Sequence, residues 1–276
     1  MVAIVVMAVM SGCAGVFSPR AIPPRSVTAE ELASLLHRRE AALSSLKGLF
    51  TAKVRGGWFP IASRVEGAVY YRRPHAMRLR GFTPLGSELF EFIQTDDFYL
   101  LRLPTMGRLL RGRSSEFLSG EFSSEGRKEQ SLARPFQLSA WAVGGVLGTG
   151  RITSGETVHV EEEGDRYRFE VYSGTQNDSR LTRPTRRLWF DRRTLLVVQE
   201  DRLAKNGVID ATIRYEDFRP VGGAEREGTD GGADGVLMRP FKIVLEDGQG
   251  QGSIQITFHE ILPNQPIGTD ELGEAL

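Results

Sequence analysis

Residues 77–93 read MRLRGFTPLGSELFEFI, and the periodicity of this stretch decides the fold. Side chains of an extended chain point alternately to two faces, so a strand with one buried face alternates apolar and polar residues. Met77 and Leu79 alternate in this way with Arg78 and Arg80. Thr83-Pro84-Leu85-Gly86 then supplies a turn, because Pro presets φ and Gly tolerates the left-handed region. Beyond it Leu89, Phe90, Phe92 and Ile93, and again Phe98 to Leu101, are apolar on both parities, so each face needs a cover. Upstream, Val65, Gly67, Val69 and Tyr71 oppose Arg64, Glu66 and Arg72. Leu46, Gly48, Phe50, Ala52, Val54 and Trp58 oppose Lys47, Thr51, Lys53 and Arg55. Strands with one wet and one dry face, joined by short turns, predict an antiparallel meander.

Towards the N-terminus, Thr28 followed by Glu31 is a capping box, and Leu32, Leu35, Leu36, Leu43 and Leu46 predict an amphipathic helix from Ala29 to Leu46. Residues 13–27, with Pro19, Pro23 and Pro24, have the composition of a tether. Residues 1–12 carry a short apolar run that ends in Met10-Ser11-Gly12-Cys13. This is the pattern of a bacterial lipoprotein signal, whose cysteine becomes the lipid anchor. Cys13 is the only cysteine of the chain, which excludes an internal disulfide. The residue after it is Ala14 and not Asp, which points to the outer membrane of a Gram-negative bacterium, with the domain in the periplasm.

Towards the C-terminus, residues 104–120 read as a hairpin or loop with a turn of helix, and Phe122 to Arg134 as a polar surface connection. Pro135 opens a helix bearing Leu138, Trp141, Ala142 and Val146 on one side and ending at Gly144, Gly145 and Gly148. Seven strand patterns follow between Val158 and Phe258. Asn206-Gly207 is a two-residue hairpin signal, and residues 221–235, rich in Gly, Glu and Asp, read as a disordered segment or a long hairpin loop. Residues 28–276 then make one mainly β domain of ten to twelve strands.

The 35 basic and 35 acidic residues cancel, so no global field favours nucleic acid. The 4 histidines, His37, His75, His159 and His259, have no metal-ligand spacing. No serine sits in a nucleophile elbow, and Gly148-Thr149-Gly150 is a turn and not a phosphate cradle. We therefore expect no catalytic residue, metal or cofactor. Arg186, Arg187, Arg192 and Arg193 form a basic cluster suited to a solvated face or to lipid headgroups.

Met77 to Arg80, Thr83 to Ser87 and Leu89 to Phe92 together resemble the strand, Pro-Leu-Gly loop and strand of the LolA/LolB lipoprotein-localisation family, on its LolB side. Leu138, Trp141 and Gly144 are similar to the family's inserted helix, and the order of elements fits from Cys13 to Phe218. The strands after Val221 extend beyond the family pattern. The resemblance implies a half-open antiparallel β-barrel with helices covering its mouth and an apolar cavity for acyl chains. It also implies a lipid-anchored, monomeric receptor without enzymatic activity. Such a receptor takes acylated cargo (lipoproteins or other lipids) from a periplasmic LolA-like carrier and inserts it into the outer membrane. Pro84, Leu85 and Gly86 would form the membrane-insertion loop. Leu89, Phe90, Phe92, Phe98, Leu100, Leu138 and Trp141 are the candidates to line the cavity. The alternative is a structural or adaptor envelope lipoprotein whose barrel is filled by its own side chains.

Overall fold

The computed structural model describes residues 26–56, 64–74, 76–119, 127–147, 152–153, 155–174, 183–222, 237–250 and 252–273. Cys13 and the rest of residues 1–25, Trp58, His75, Gly148 to Gly150 and residues 223–236 lie outside the described residues.

The alternation sets up two meanders. The first contains β1 (Ser45–Gly56), β2 (Arg64–Arg72), β3 (Ala76–Phe82), β4 (Glu88–Gln94), β5 (Phe98–Leu103) and β6 (Arg108–Arg113). The second contains β7 (Glu156–Glu163), β8 (Arg166–Ser173), β9 (Arg186–Asp191), β10 (Val197–Leu203), β11 (Ile209–Val221), β12 (Leu237–Asp247) and β13 (Gly252–Pro263). They join where β1 pairs with β13, from Leu46 opposite Pro263 to Gly56 opposite Gly252. The result is one antiparallel sheet of 13 strands, with β6 at one edge and β7 at the other, that does not close on itself. The strand beyond the expected ten to twelve is β6, which reads as loop because Arg108, Arg111 and Arg113 break its apolar pattern. Charge on an edge strand discourages pairing with another chain, and β7 carries Glu161, Glu162 and Glu163 at the opposite edge.

On the inner face Leu46, Phe50, Ala52 and Val54 of β1 meet Val65, Val69 and Tyr71 of β2, Met77 and Leu79 of β3, and Ile254, Ile256 and Phe258 of β13 in one buried cluster. Gly67 sits directly under the Phe50 ring, where an added Cβ would lie 2.3 Å from Phe50 Cζ and 2.9 Å from the Arg80 carbonyl oxygen.

The helix α1 (Ala29–Ala41) has its expected capping box: Glu31 N donates to Thr28 Oγ1 at 3.2 Å and Thr28 N donates to Glu31 Oε2 at 2.7 Å. It ends five residues before Leu46, because Leu43 and Leu46 bury in the inner-face core once β1 begins at Ser45. Leu32 and Leu36 pack on Tyr167, Phe169 and Val171 of β8 and Leu188 and Phe190 of β9, so α1 roofs the β8–β9 side.

Between the meanders come α2 (Ser114–Ser119) and α3 (Arg127–Leu147). The latter starts eight residues before Pro135, which lies inside the helix, and runs on through Gly144. The residues before the proline are helical despite their polar composition, since docking on the sheet outweighs the proline's missing N–H. The second face of β4, which its apolar residues on both parities require to be covered, receives the C-terminal helix α4 (Thr269–Leu272). Arg78 Nη1 donates to the carbonyls of Asp270 (3.0 Å) and Glu271 (3.1 Å), Leu272 is buried, and Gly273 lies against Ile93.

The Asn206-Gly207 turn also differs in detail from its expectation. Gly207 N donates to the Ala204 carbonyl at 2.8 Å, Ala204 N to the Val208 carbonyl at 2.9 Å, and only Gly207 of the pair has positive φ (82°). The hairpin therefore closes over three residues, with Gly207 in the left-handed position.

Gly67→Ala should destabilise the protein by about 1–3 kcal/mol, the range for overpacking a core that cannot expand. Chemical denaturation at constant m-value measures it, and an unchanged midpoint would show that Phe50 yields freely.

Candidate functional site

The candidate site is the space between α3 and the inner face. Phe136, Ser139 and Val143, at i, i+3 and i+7, form its roof. Its floor is Phe50, Ala52 and Val54 of β1, Val65 of β2, Leu79 of β3, Phe90 of β4 and Ile254 and Ile256 of β13. Ser139 is the one polar lining residue, and its hydroxyl donates to the Pro135 carbonyl at 2.7 Å, so the wall is apolar throughout. About 450 Å³ lies between these atoms with the mouth included, but only about 30 Å³ admits the centre of a water-sized sphere. That is room for about two waters and not for an acyl chain, because α3 packs closely on the sheet.

Two sets of contacts hold it there. Tyr99, Phe117, Phe92, Phe136 and Phe90 form a ladder of rings, with successive centroids 4.7, 4.9, 6.5 and 4.8 Å apart, that carries α2 and α3 on β4 and β5. Gln137 Nε2 reinforces it by donating to the Phe117 carbonyl at 2.6 Å. The second set is polar: Arg134 Nη2 reaches Asp210 Oδ1 at 2.7 Å and Asp247 Oδ1 at 3.1 Å, and Nη1 reaches Asp210 Oδ2 at 3.0 Å. The Arg134 and Arg202 guanidinium carbons lie 5.5 and 5.2 Å from the centre of the Trp141 ring.

Val54, Val65, Ile254 and the Asp210–Asp247 latch all lie towards the end of the sheet formed by the β3–β4, β5–β6, β10–β11 and β12–β13 turns. Among the described residues five of the eight exposed large apolar side chains lie at these same turns, Leu85 on the first, Met106 and Leu109 on the second, and Val208 and Ile209 on the third, while Leu49 lies mid-strand and Phe98 and Leu262 at the opposite end. Leu85 is 96% exposed at the tip of a turn closed by Gly86 N donating to the Thr83 carbonyl at 2.8 Å. Pro84 precedes it. Gly86 has φ 86°, and a Cβ added there would meet nothing within 4 Å, so the tip is unobstructed.

Of the residues expected to line an acyl-chain cavity, Phe90 borders this space and Phe92 stands behind it in the ring ladder. Leu89 is buried at a β-bulge, where the β3–β4 register skips it, and does not reach the space. Phe98 and Leu100 have the parity of the outer face, opposite to Tyr99 and Leu101, and Phe98 is exposed. Leu138 and Trp141 are buried on α3 but lie beside the lining stripe. Phe136, Ser139 and Val143 escaped the sequence reading because α3 is apolar around most of its circumference. Ile254 and Ile256 escaped it because nothing local says that β13 pairs with β1. The basic cluster divides: Arg186 is buried on the inner face near Glu156, while Arg187 pairs with Glu170 at 2.8 Å and Arg192 with Glu162 at 3.0 Å. Among the described residues no group of histidine, cysteine, aspartate and glutamate is placed to hold a metal.

No protein-family model matches the chain, and no curated protein matches it in sequence. Solved structures match it in fold. A domain from Vibrio parahaemolyticus, provisionally assigned as an outer membrane lipoprotein-sorting protein, aligns with a TM-score of 0.54 at 11% identity over 90% of this chain and 97% of its own. A DUF1329 family protein from Desulfovibrio piger aligns at 0.55 and 10% identity over 90% and 98%. A LolA superfamily protein from Nitrosomonas europaea aligns at 0.50 and 15% identity over 87% and 96%. The fold is LolA-like. At these identities the likeness is one of architecture, an unclosed antiparallel sheet with few helices.

Arg134→Met should cost about 3 kcal/mol, because removing one partner leaves the buried Asp247 carboxylate without that cation. Hydrogen exchange should speed up in α3 before it does in β1 and β13. Uniform acceleration across the sheet would mean that Arg134 stabilises the whole fold and not the roof.

Proposed function

We propose that the protein is a lipid-anchored, LolB-like receptor of the bacterial envelope that takes the acyl chains of lipoproteins or other lipids under α3 and passes them to the outer membrane. The observation that carries this reading is the shared end of the sheet: the apolar space under α3 lies towards the turns from which Leu85, Met106, Leu109 and Val208 project. A chain leaving the space there meets side chains suited to the hydrocarbon boundary of a bilayer. The protein works by binding and release, without a chemical step. Cys13 is its anchor, a periplasmic LolA-like carrier its donor, and it acts as a monomer.

The energetics are compatible with a closed resting form. Sheltering a ~16-carbon chain gains roughly 12 kcal/mol at about 0.8 kcal/mol per methylene. Swinging α3 aside costs the Arg134 latch, about 3 kcal/mol, together with part of the ring ladder. A chain exposed to water during transfer gains more than opening the roof costs, while without one the roof falls back and excludes water from apolar walls.

A second reading rests on the small free volume: the protein is an adaptor whose interior is permanently packed. Leu85→Glu separates the two. Leu85 is exposed, so melting temperature should not change. Transfer of a fluorescent acylated peptide from the full chain into outer-membrane-lipid vesicles should slow at least tenfold. Absence of transfer by the unaltered chain would favour the adaptor.

A further inference from the structure

A second pocket lies at the other end of the inner face, between α1 and the strands β9 to β12, and shares no lining residue with the space under α3. About 570 Å³ lies between its atoms with the mouth included, and about 60 Å³ of it admits the centre of a water-sized sphere, twice the free space under α3. Its walls are mostly apolar, with Leu36 from α1 facing Val197, Phe218 and Met238 from the sheet.

Arg239 breaks this apolar surface. It lines the pocket at 4% exposure, yet it pairs with no carboxylate among the described residues. Its Nη1 donates to the Met238 carbonyl at 3.2 Å and its Nη2 to the Arg39 carbonyl at 3.0 Å, while Nε is buried without a partner. Two neutral acceptors do not balance a buried cation, and the cost of such a charge runs to several kcal/mol. A second guanidinium, Arg39, lines the same pocket and raises the positive potential. Burial, aided by Arg39, pushes Arg239 down to about 10, which leaves it charged at neutral pH.

The one carboxylate that lines the pocket is engaged elsewhere. Glu200 Oε1 lies 2.6 Å from Arg202 Nε in an ion pair that is out of hydrogen-bond alignment, and Oε2 accepts from the Tyr215 hydroxyl at 3.3 Å. Burial beside Glu200 raises the Tyr215 phenol well above its usual value, so the donor keeps its proton. Glu200 thus confines an incoming anion to the Arg39–Arg239 side.

We propose that this pocket binds an anionic amphiphile, a single carboxylate or phosphate on an alkyl chain: the enclosed space admits only the anionic head, at Arg239, and the chain lies along the apolar wall of the open mouth. The inference goes beyond the cargo site under α3 and does not depend on it.

Calorimetric titration of the delipidated full chain with dodecanoate, dodecyl phosphate, dodecanol and dodecyltrimethylammonium, each below its micelle concentration, tests it. The two anions should bind at least tenfold more tightly than the alcohol or the cation. Arg239→Met should abolish that preference and leave dodecanol binding unchanged. Because the variant removes an uncompensated buried charge, its melting temperature without ligand should not fall. Equal affinity for dodecanol and dodecanoate in the unaltered protein would overturn the proposal, and that comparison needs no variant. Inorganic phosphate competing as strongly as dodecyl phosphate would also overturn it, by revealing a site for a free anion. The anion preference is read through Arg239, which does not line the space under α3, so the two readings fail separately.

Discussion

An unclosed sheet of 13 strands has an apolar inner face and, among the described residues, no second sheet to bury it against. That constraint governs the rest of the molecule. A barrel would hide the face by closing, and a sandwich by stacking. Here the inner face curves beneath helices instead, with α1 over β8 and β9 and α3 over β1 to β4 and β13. The two pockets lie beneath these helices, one under α1 and one under α3.

The two roofs are fastened differently. α1 is held by leucines on aromatic rings and leads through a short connection into β1. α3 belongs to the long passage between the meanders and is fixed by the ring ladder at one place and Arg134 at another. The pockets also differ in chemistry, since one is apolar throughout while the other holds Arg239, which pairs with no carboxylate among the described residues.

The strands were legible because one wet and one dry face leave a period of two, as in Met77 to Arg80. The capping box at Thr28 was legible because two side chains three residues apart settle it locally. What did not show was long-range: the pairing of β1 with β13 makes Ile254 and Ile256 neighbours of Ala52 and Val54, and no local pattern records it. Leu138 and Trp141 stood out on α3 by size, yet the stripe over the cavity is Phe136, Ser139 and Val143, because a helix apolar on several sides does not reveal which side faces the hollow. Arg239 was silent too, since an arginine in a strand reads as solvated until its neighbours are known.

Photolabelling of the full chain with a neutral diacylglycerol that carries a diazirine at the end of one acyl chain, followed by mass spectrometry of the adducts, measures the central claim most directly. The account predicts saturable labelling of Phe136, Ser139 and Val143 on α3 together with Ile254 and Ile256 on β13. Labelling confined to outer-face residues such as Leu100, or none that unlabelled lipid competes away, would contradict it.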